Sequence, residues 1–161
     1  MTQVYLPYPD FSMTAKCLDN KRLNKQITEA KQVFTFVEYG YGFQGNPAPY
    51  KMWEGFGSTI ALYVIMLYSE WQQRFYDGRR GGKKEHKAGE FVLYDRNWSD
   101  ELKSVKYPTW WNDDRVFSSY RSALLYKDFD WYSQFGWSES PATPIKIDKK
   151  GNVTLPYFYG I

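Results

Sequence analysis

The sequence predicts a mainly α fold: a single-domain helical bundle with an extended N-terminal segment and a tail that can form a small β-hairpin. Three observations carry this. Apolar residues recur at helical spacing between residues 23 and 37, and they nearly encircle the chain between residues 60 and 67. Glycines and prolines punctuate those runs. From Ser138 onward the pattern changes to short pieces around a Lys-Lys-Gly turn.

The elements follow in order. Thr2 to Leu6 reads as extended, closed by the Pro7-Tyr8-Pro9-Asp10 turn. Ser12 or Thr14 can cap a long helix to about Tyr39, stopped by Gly40 and Gly42. Its core stripe is Leu23, Ile27, Ala30, Phe34 and Val37, spaced four, three, four, three. A loop stiffened by Pro47 and Pro49 leads to a short helix over Lys51–Phe56, then to a second long helix capped by Ser58 and running to Tyr76. The latter is apolar on nearly every side from Ile60 to Leu67 and belongs at the centre. Asp77 to Lys84 carries four cations and three glycines, so it cannot be core and reads as a loop. Phe91 to Lys106 is ambiguous, with a short helix after Ser99. Asp113 or Asp114 can start a third helix through Tyr126, and Asp128 or Asp130 a short fourth one ending at Gly136. In the tail, residues 145–148 and 152–155 flank Lys149-Lys150-Gly151 as a hairpin.

At 161 residues the chain can bury a real core as one domain. We expect residues 1–137 to form the helical domain and 138–161 a tail packed on it. Cys17 is alone, which excludes an intramolecular disulfide framework and suits a small, half-buried, unreactive thiol. The N-terminus lacks the basic start and apolar run of a signal peptide. The longest apolar stretch, Ile60 to Tyr68, is far short of the roughly 20 residues of a membrane span. These features point to the cytoplasm, of a cell or an infected host, and to no membrane partner. A net charge of +3 says little by itself, but aromatic residues make up 20% of a chain of negative mean hydropathy. Many rings must therefore adjoin polar residues, at core edges or on a surface suited to nucleobases.

The first long helix has a polar flank beside its apolar stripe. At ~100° per residue, Asp19, Arg22, Gln26 and Glu29 fall along one line, with Lys25 just outside it and Lys21 further round. A carboxylate and a guanidinium at a core border interact strongly if partly buried; an ordinary rim ion pair gives the same pattern. Basic residues also gather as Arg79, Arg80, Lys83 and Lys84, as His86 and Lys87, and as Arg115, Arg121 and Lys127. Phosphates call for such cations on loops and helix ends, although a solvated surface would also supply them. The rings interleaved with them are Trp110, Trp111, Tyr120 and Trp131. His86 has no nearby His or Cys with which to hold a metal, and no phosphate loop, dinucleotide fingerprint, zinc spacing or nucleophile elbow is present. No metal or organic cofactor is expected, nor an obligate protein partner; we expect a monomer.

Together the segments resemble the pyrimidine-dimer DNA glycosylase family, of the phage endonuclease V type. The likeness rests on Met1-Thr2-Gln3-Val4-Tyr5-Leu6 before a long basic-acidic helix. It also rests on Ser119, Arg121, Leu124, Lys127, Trp131, Tyr132, Phe135 and Gly136, which look like the family's terminal helix and aromatic segment. The sequence is most similar to a branch of small bacterial and phage proteins, through Leu6-Pro7-Tyr8-Pro9-Asp10-Phe11, Cys17 to Leu23, Lys25-Gln26, Glu29-Ala30, Asn46-Pro47, Met52-Trp53, Glu70-Trp71 and Ser119 to Lys127. The likeness extends to Trp137 and leaves out the tail.

The resemblance implies a DNA glycosylase with AP-lyase activity. In that family the initiator Met is removed and the amine of a threonine attacks C1′, forming a Schiff base before β-elimination; Thr2 matches that threonine. An α-amine suits the task because its pKa near 8 leaves a neutral fraction at neutral pH. The family's arginine matches Arg22, a second arginine falls on Gln26, and its catalytic glutamate falls on Leu23. Glu29, two turns after Arg22 on the same flank, is our own candidate to replace that carboxylate.

The leading expectation is an enzyme on a damaged or modified pyrimidine in DNA, with catalytic Thr2, Glu29 and Arg22. Its nucleic-acid contacts would be Lys21, Lys25, Gln26, Arg79, Arg80, Lys83, Lys84, His86, Lys87, Arg115, Tyr120, Arg121 and Lys127. Exposed rings such as Trp110 or Tyr120 would support the opened site. The alternatives are a non-catalytic DNA-binding module on the same scaffold, and a protein acting on or sequestering free nucleotides.

Overall fold

The two most apolar stretches meet at the centre: α2 (Asn20–Tyr39) packs along α4 (Gly57–Phe75) in the computed structural model, which describes residues 2–76 and 85–161. Leu23, Ile27, Ala30 and Phe34 are fully buried, as their spacing requires. Val37 is only half-buried because α2 is leaving the core by then, and Val33 fills the stripe instead. Gly40 closes the helix at φ 78°, a left-handed conformation that a side chain would resist, and its N–H bonds the Phe36 carbonyl.

The single helix expected from Ser12 or Thr14 is in fact two. α1 (Phe11–Cys17) is capped by Asp10, whose carboxylate accepts the Met13 N–H at 2.8 Å. The chain then turns through extended backbone at Leu18 and Asp19 before α2 begins. The cause of the break lies more than fifty residues away. Arg74 of α4 donates to the carbonyls of Ala15, Lys16 and Leu18, satisfying the acceptors that a continuing helix would have used. Glu70 holds that guanidinium at 2.9 Å.

The remaining elements are smaller, giving seven α-helices among the described residues. α3 (Ala48–Lys51) precedes the expected Lys51–Phe56 helix, and α4 starts one residue before Ser58, whose hydroxyl bonds Glu101 instead of capping. α5 (Lys87–Leu93) is unanticipated and is capped by His86. Only a 3-10 turn, Glu101–Ser104, follows Ser99. α6 (Asp114–Lys127) and α7 (Phe129–Tyr132) begin at their Asp113 and Asp128 caps, and Gly136 ends the aromatic segment. In the tail, β1 (Lys146–Ile147) pairs antiparallel with β2 (Val153–Thr154). No described helix is long and apolar enough to cross a membrane. Cys17 is buried, beyond the half-burial expected, and burial pushes its thiol up to about 12.

Among the described residues no strand lies beside the extended N-terminal segment, and helix side chains pair its backbone. Gln26 accepts the Tyr5 N–H at 2.6 Å and donates to the Gln3 carbonyl at 2.9 Å. Tyr63 of α4 donates to the Tyr5 carbonyl at 2.6 Å and lies 3.1 Å from the same Gln26 oxygen. Each of those backbone groups would cost about 1–3 kcal/mol if buried unpaired. Gln26 is therefore a surrogate strand partner that clamps residues 3–5 onto α2.

Candidate functional site

That clamp forms the base of a basic cleft of about 250 Å³. Lys21, Arg22, Lys25 and Glu29 line it from α2, and Tyr126 and Lys127 from the end of α6. Gln3 and Tyr5 reach it from the N-terminal segment, and Val153 to Leu155 with Tyr157 supply the tail wall. The helical repeat explains the α2 side. Residues 22, 25 and 29 rise three and four apart along one flank while Leu23 and Ile27 point into the core.

Arg22 is fixed at its place. Its guanidinium meets Asp19 at 3.2 Å and the Lys127 carbonyl at 3.3 Å, tying the start of α2 to the end of α6. Asp19 in turn accepts the Tyr132 hydroxyl proton, while its N–H donates back to that oxygen. Trp131 donates its ring N–H to the Cys17 carbonyl at 2.8 Å. The aromatic α7 thus fastens the α1–α2 junction and, through Asp19, the arginine in the cleft.

Glu29 is the carboxyl among the lining residues, and burial alters its chemistry. Burial raises its carboxyl from 4.5 to about 7, with Lys25 the strongest opposing influence; Lys127 and a 3.3 Å hydrogen bond from Gln26 also lower it. Lys127 moves the other way, lowered first by burial and then by crowding from Arg22 and Lys25. Its ammonium lies 5.8 Å from the Tyr5 ring centroid. The hydroxyls of Tyr5 and Tyr157 meet at 3.1 Å, and burial pushes Tyr157 up to about 12, so both stay neutral donors at neutral pH. A carboxyl near 7 can give and take a proton around neutrality. The cations around it provide an anion-attracting field.

The structure brings Lys21, Arg22, Lys25, Glu29 and Lys127 together and puts several other expected contacts elsewhere. Gln26 is only 1% exposed and has its polar atoms committed to the clamp, so it does not face a phosphate. Tyr120 and Trp110, expected as exposed rings, are core residues. Tyr120 packs edge-on to Tyr5, and Trp110 sits against Trp53 with its ring N–H on the Met52 carbonyl. Arg121 is pinned by Glu139, Asp114 and the Pro7 carbonyl, and Arg115 is paired with Asp113 and lies over Phe158. Arg121 is engaged in holding the fold, whereas Arg115 stays at the surface in a local pair.

His86 and Lys87 line a second, shallower hollow with Lys31 and Gln32. His86 rests edge-on against Trp71 and bonds the Asn24 carbonyl, and burial lowers its pKa. Arg79, Arg80, Lys83 and Lys84 lie outside the described residues. Thr2 is 4% exposed, and its hydroxyl donates to Gln32 at 2.7 Å, one turn beyond Glu29 on α2. Tyr126 and the tail wall had no signal in the sequence that tied them to this site.

A family model described as pyrimidine dimer DNA glycosylase matches residues 2–84. That stretch contains the α2 side of the cleft, whereas Lys127 and the tail wall lie beyond it. No curated protein and no solved structure matches the chain.

Proposed function

Starting from the fact that this chain belongs to the pyrimidine dimer DNA glycosylase family, we propose that it is a DNA glycosylase with AP-lyase activity, acting on a damaged or modified pyrimidine through the amine of Thr2. The observation that carries this reading is Glu29, a carboxyl held near 7 in a cleft that also presents Lys21, Arg22, Lys25 and Lys127.

With the initiator Met removed, the Thr2 amine attacks C1′ and the base leaves with the electrons of the N-glycosidic bond. Opening of the sugar then gives an iminium, and loss of a C2′ proton expels the 3′ phosphate. Glu29 handles the protons of these steps and, once ionised, offsets the positive charge of the iminium. Arg22, Lys21, Lys25 and Lys127 hold phosphate. One contact and one neighbour support the role of Thr2: Gln32 fixes its hydroxyl on the same helix as Glu29, and the adjacent Gln3 lines the cleft. The family acts on DNA; the choice of lesion is part of the proposal.

The test is borohydride trapping on duplexes with an abasic site or a pyrimidine dimer, using chain whose mass establishes Thr2 as its first residue. A covalent adduct is expected, and reductive methylation of the amine should abolish it. Chain beginning at Thr2 that forms no adduct and cuts no strand would overturn the proposal. That result would favour a non-catalytic DNA-binding module, a reading supported by Leu23, which is wholly buried where the resemblance expects a glutamate.

A further inference from the structure

The tail hairpin stands at the rim of the cleft, outside the stretch matched by the family. Val153 and Thr154 of β2 line the cleft, and their partners across the ladder are Ile147 and Lys146. The turn between the strands is rigidly made. The Asp148 carboxylate accepts the N–H groups of Lys150 and Asn152, each at 2.8 Å, and Gly151 adopts φ 82° to bring the chain back. Lys149 and Lys150 are therefore presented at a fixed, exposed tip.

The hairpin has an apolar face that the fold does not use. Ile145 and Ile147 lie two residues apart and so share a side with Val153, which is paired with Ile147. Ile145 is 69% exposed, Ile147 61% and Val153 39%. None belongs to the buried core or to the half-buried residues packed on it. Lys146, Lys149 and Lys150 make no ion pair among the described residues, because Asp148 is spent on the turn.

We propose that this hairpin is a DNA-binding arm: its lysines meet backbone phosphates, and its Ile145–Ile147–Val153 face lies against the groove beside the reacting nucleotide. The inference rests on the proposed action of the cleft on DNA. Charge selects the occupant. The arm continues the cationic field of Lys21, Arg22, Lys25 and Lys127, which suits a polyanion, whereas a second copy docked there would bring like charges together. An apolar side chain next to cations at a groove is also the arrangement that proteins use to wedge base steps apart.

Two double variants test the arm: Lys149→Ser with Lys150→Ser, and Ile145→Ser with Ile147→Ser. Binding to a duplex containing an abasic site is measured across a range of salt, with thermal unfolding as the check on folding. The lysine pair should reduce the slope of log affinity against log salt by about 2. The isoleucine pair should weaken binding by about tenfold with the slope unchanged. Wild-type binding matched by both variants, in affinity and slope, would sink the arm alone. A wild-type chain with no affinity for duplex DNA would sink the functional reading and the arm with it. Concentration-dependent dimers that the isoleucine pair abolishes would give the face to a second copy and overturn the proposal.

Discussion

The two ends of α2 treat charge in opposite ways. At its C-terminal end, Glu38 meets Arg96 at 2.9 Å, and that guanidinium also holds Asp95 at 2.8 Å and Glu101 at 3.4 Å. The Tyr39 hydroxyl donates to Asp95 and completes a cluster in which every charge has a partner. At the N-terminal end Arg22 pairs with Asp19, but among the described residues Lys21 and Lys25 make no ion pair and the half-buried Glu29 has no cation within salt-bridge distance. One end ties its three carboxylates to a single guanidinium and gains rigidity. The other leaves Lys21 and Lys25 open to a ligand and buries Glu29 beside them, and that burial raises its carboxyl to about 7.

Substituting the two glutamates separates these roles most sharply. Glu29→Gln should lower strand cleavage by about 10²- to 10⁴-fold, the usual contribution of a positioned proton carrier, while duplex binding persists or tightens. Glu38→Gln should leave cleavage unchanged and cost about 1 kcal/mol of stability, since Arg96 keeps its other carboxylates. The pH dependence of stability differs too. The folded value of Glu29 lies above its ordinary 4.5, so at pH 4 both states are mostly protonated and the group costs the fold little. As the pH rises from about 4.5 through 7 the unfolded chain ionises first, and stability falls by up to about 3 kcal/mol. Denaturant midpoints for Glu29→Gln should therefore exceed wild type at pH 8 and converge with it at pH 4. Equal midpoints at both pH values would argue against a strained carboxyl.

A structural effect is expected beneath the cleft. Gln26→Leu fills much the same volume but unpairs the Tyr5 N–H and the Gln3 carbonyl, so urea unfolding should report a loss of about 2–4 kcal/mol. Cleavage should fall as well, because residues 3–5 are no longer clamped near Glu29. A loss below about 0.5 kcal/mol would mean that water replaces the amide and that the clamp is dispensable.

How much of this was legible in the sequence follows the range of the interactions. The buried stripe of α2, the stop at Gly40, the Asp113 and Asp128 caps, and the Lys149-Lys150-Gly151 turn are local, and spacing reveals them. The polar flank of Asp19, Arg22, Gln26 and Glu29 was equally readable as a line on a helix. What that line meets was not. Periodicity places Gln26 beside Glu29, but only the tertiary fold turns one toward a buried backbone and the other toward a cleft. The break before α2 depends on Arg74, and the burial of Tyr120 depends on Tyr5 and a tail tyrosine, Tyr157. The tail wall escaped notice because nothing in its own residues names the surface it packs on.

The central claim is that the Lys21–Glu29 flank of α2 is a working site, and its most direct test is the titration of the Glu29 carboxyl by ¹³C NMR in wild type and in Lys25→Ala. The account predicts a midpoint near 7 in wild type, moving higher once Lys25, the strongest influence opposing burial, is removed. A midpoint near the ordinary 4.5, indifferent to Lys25, would contradict it.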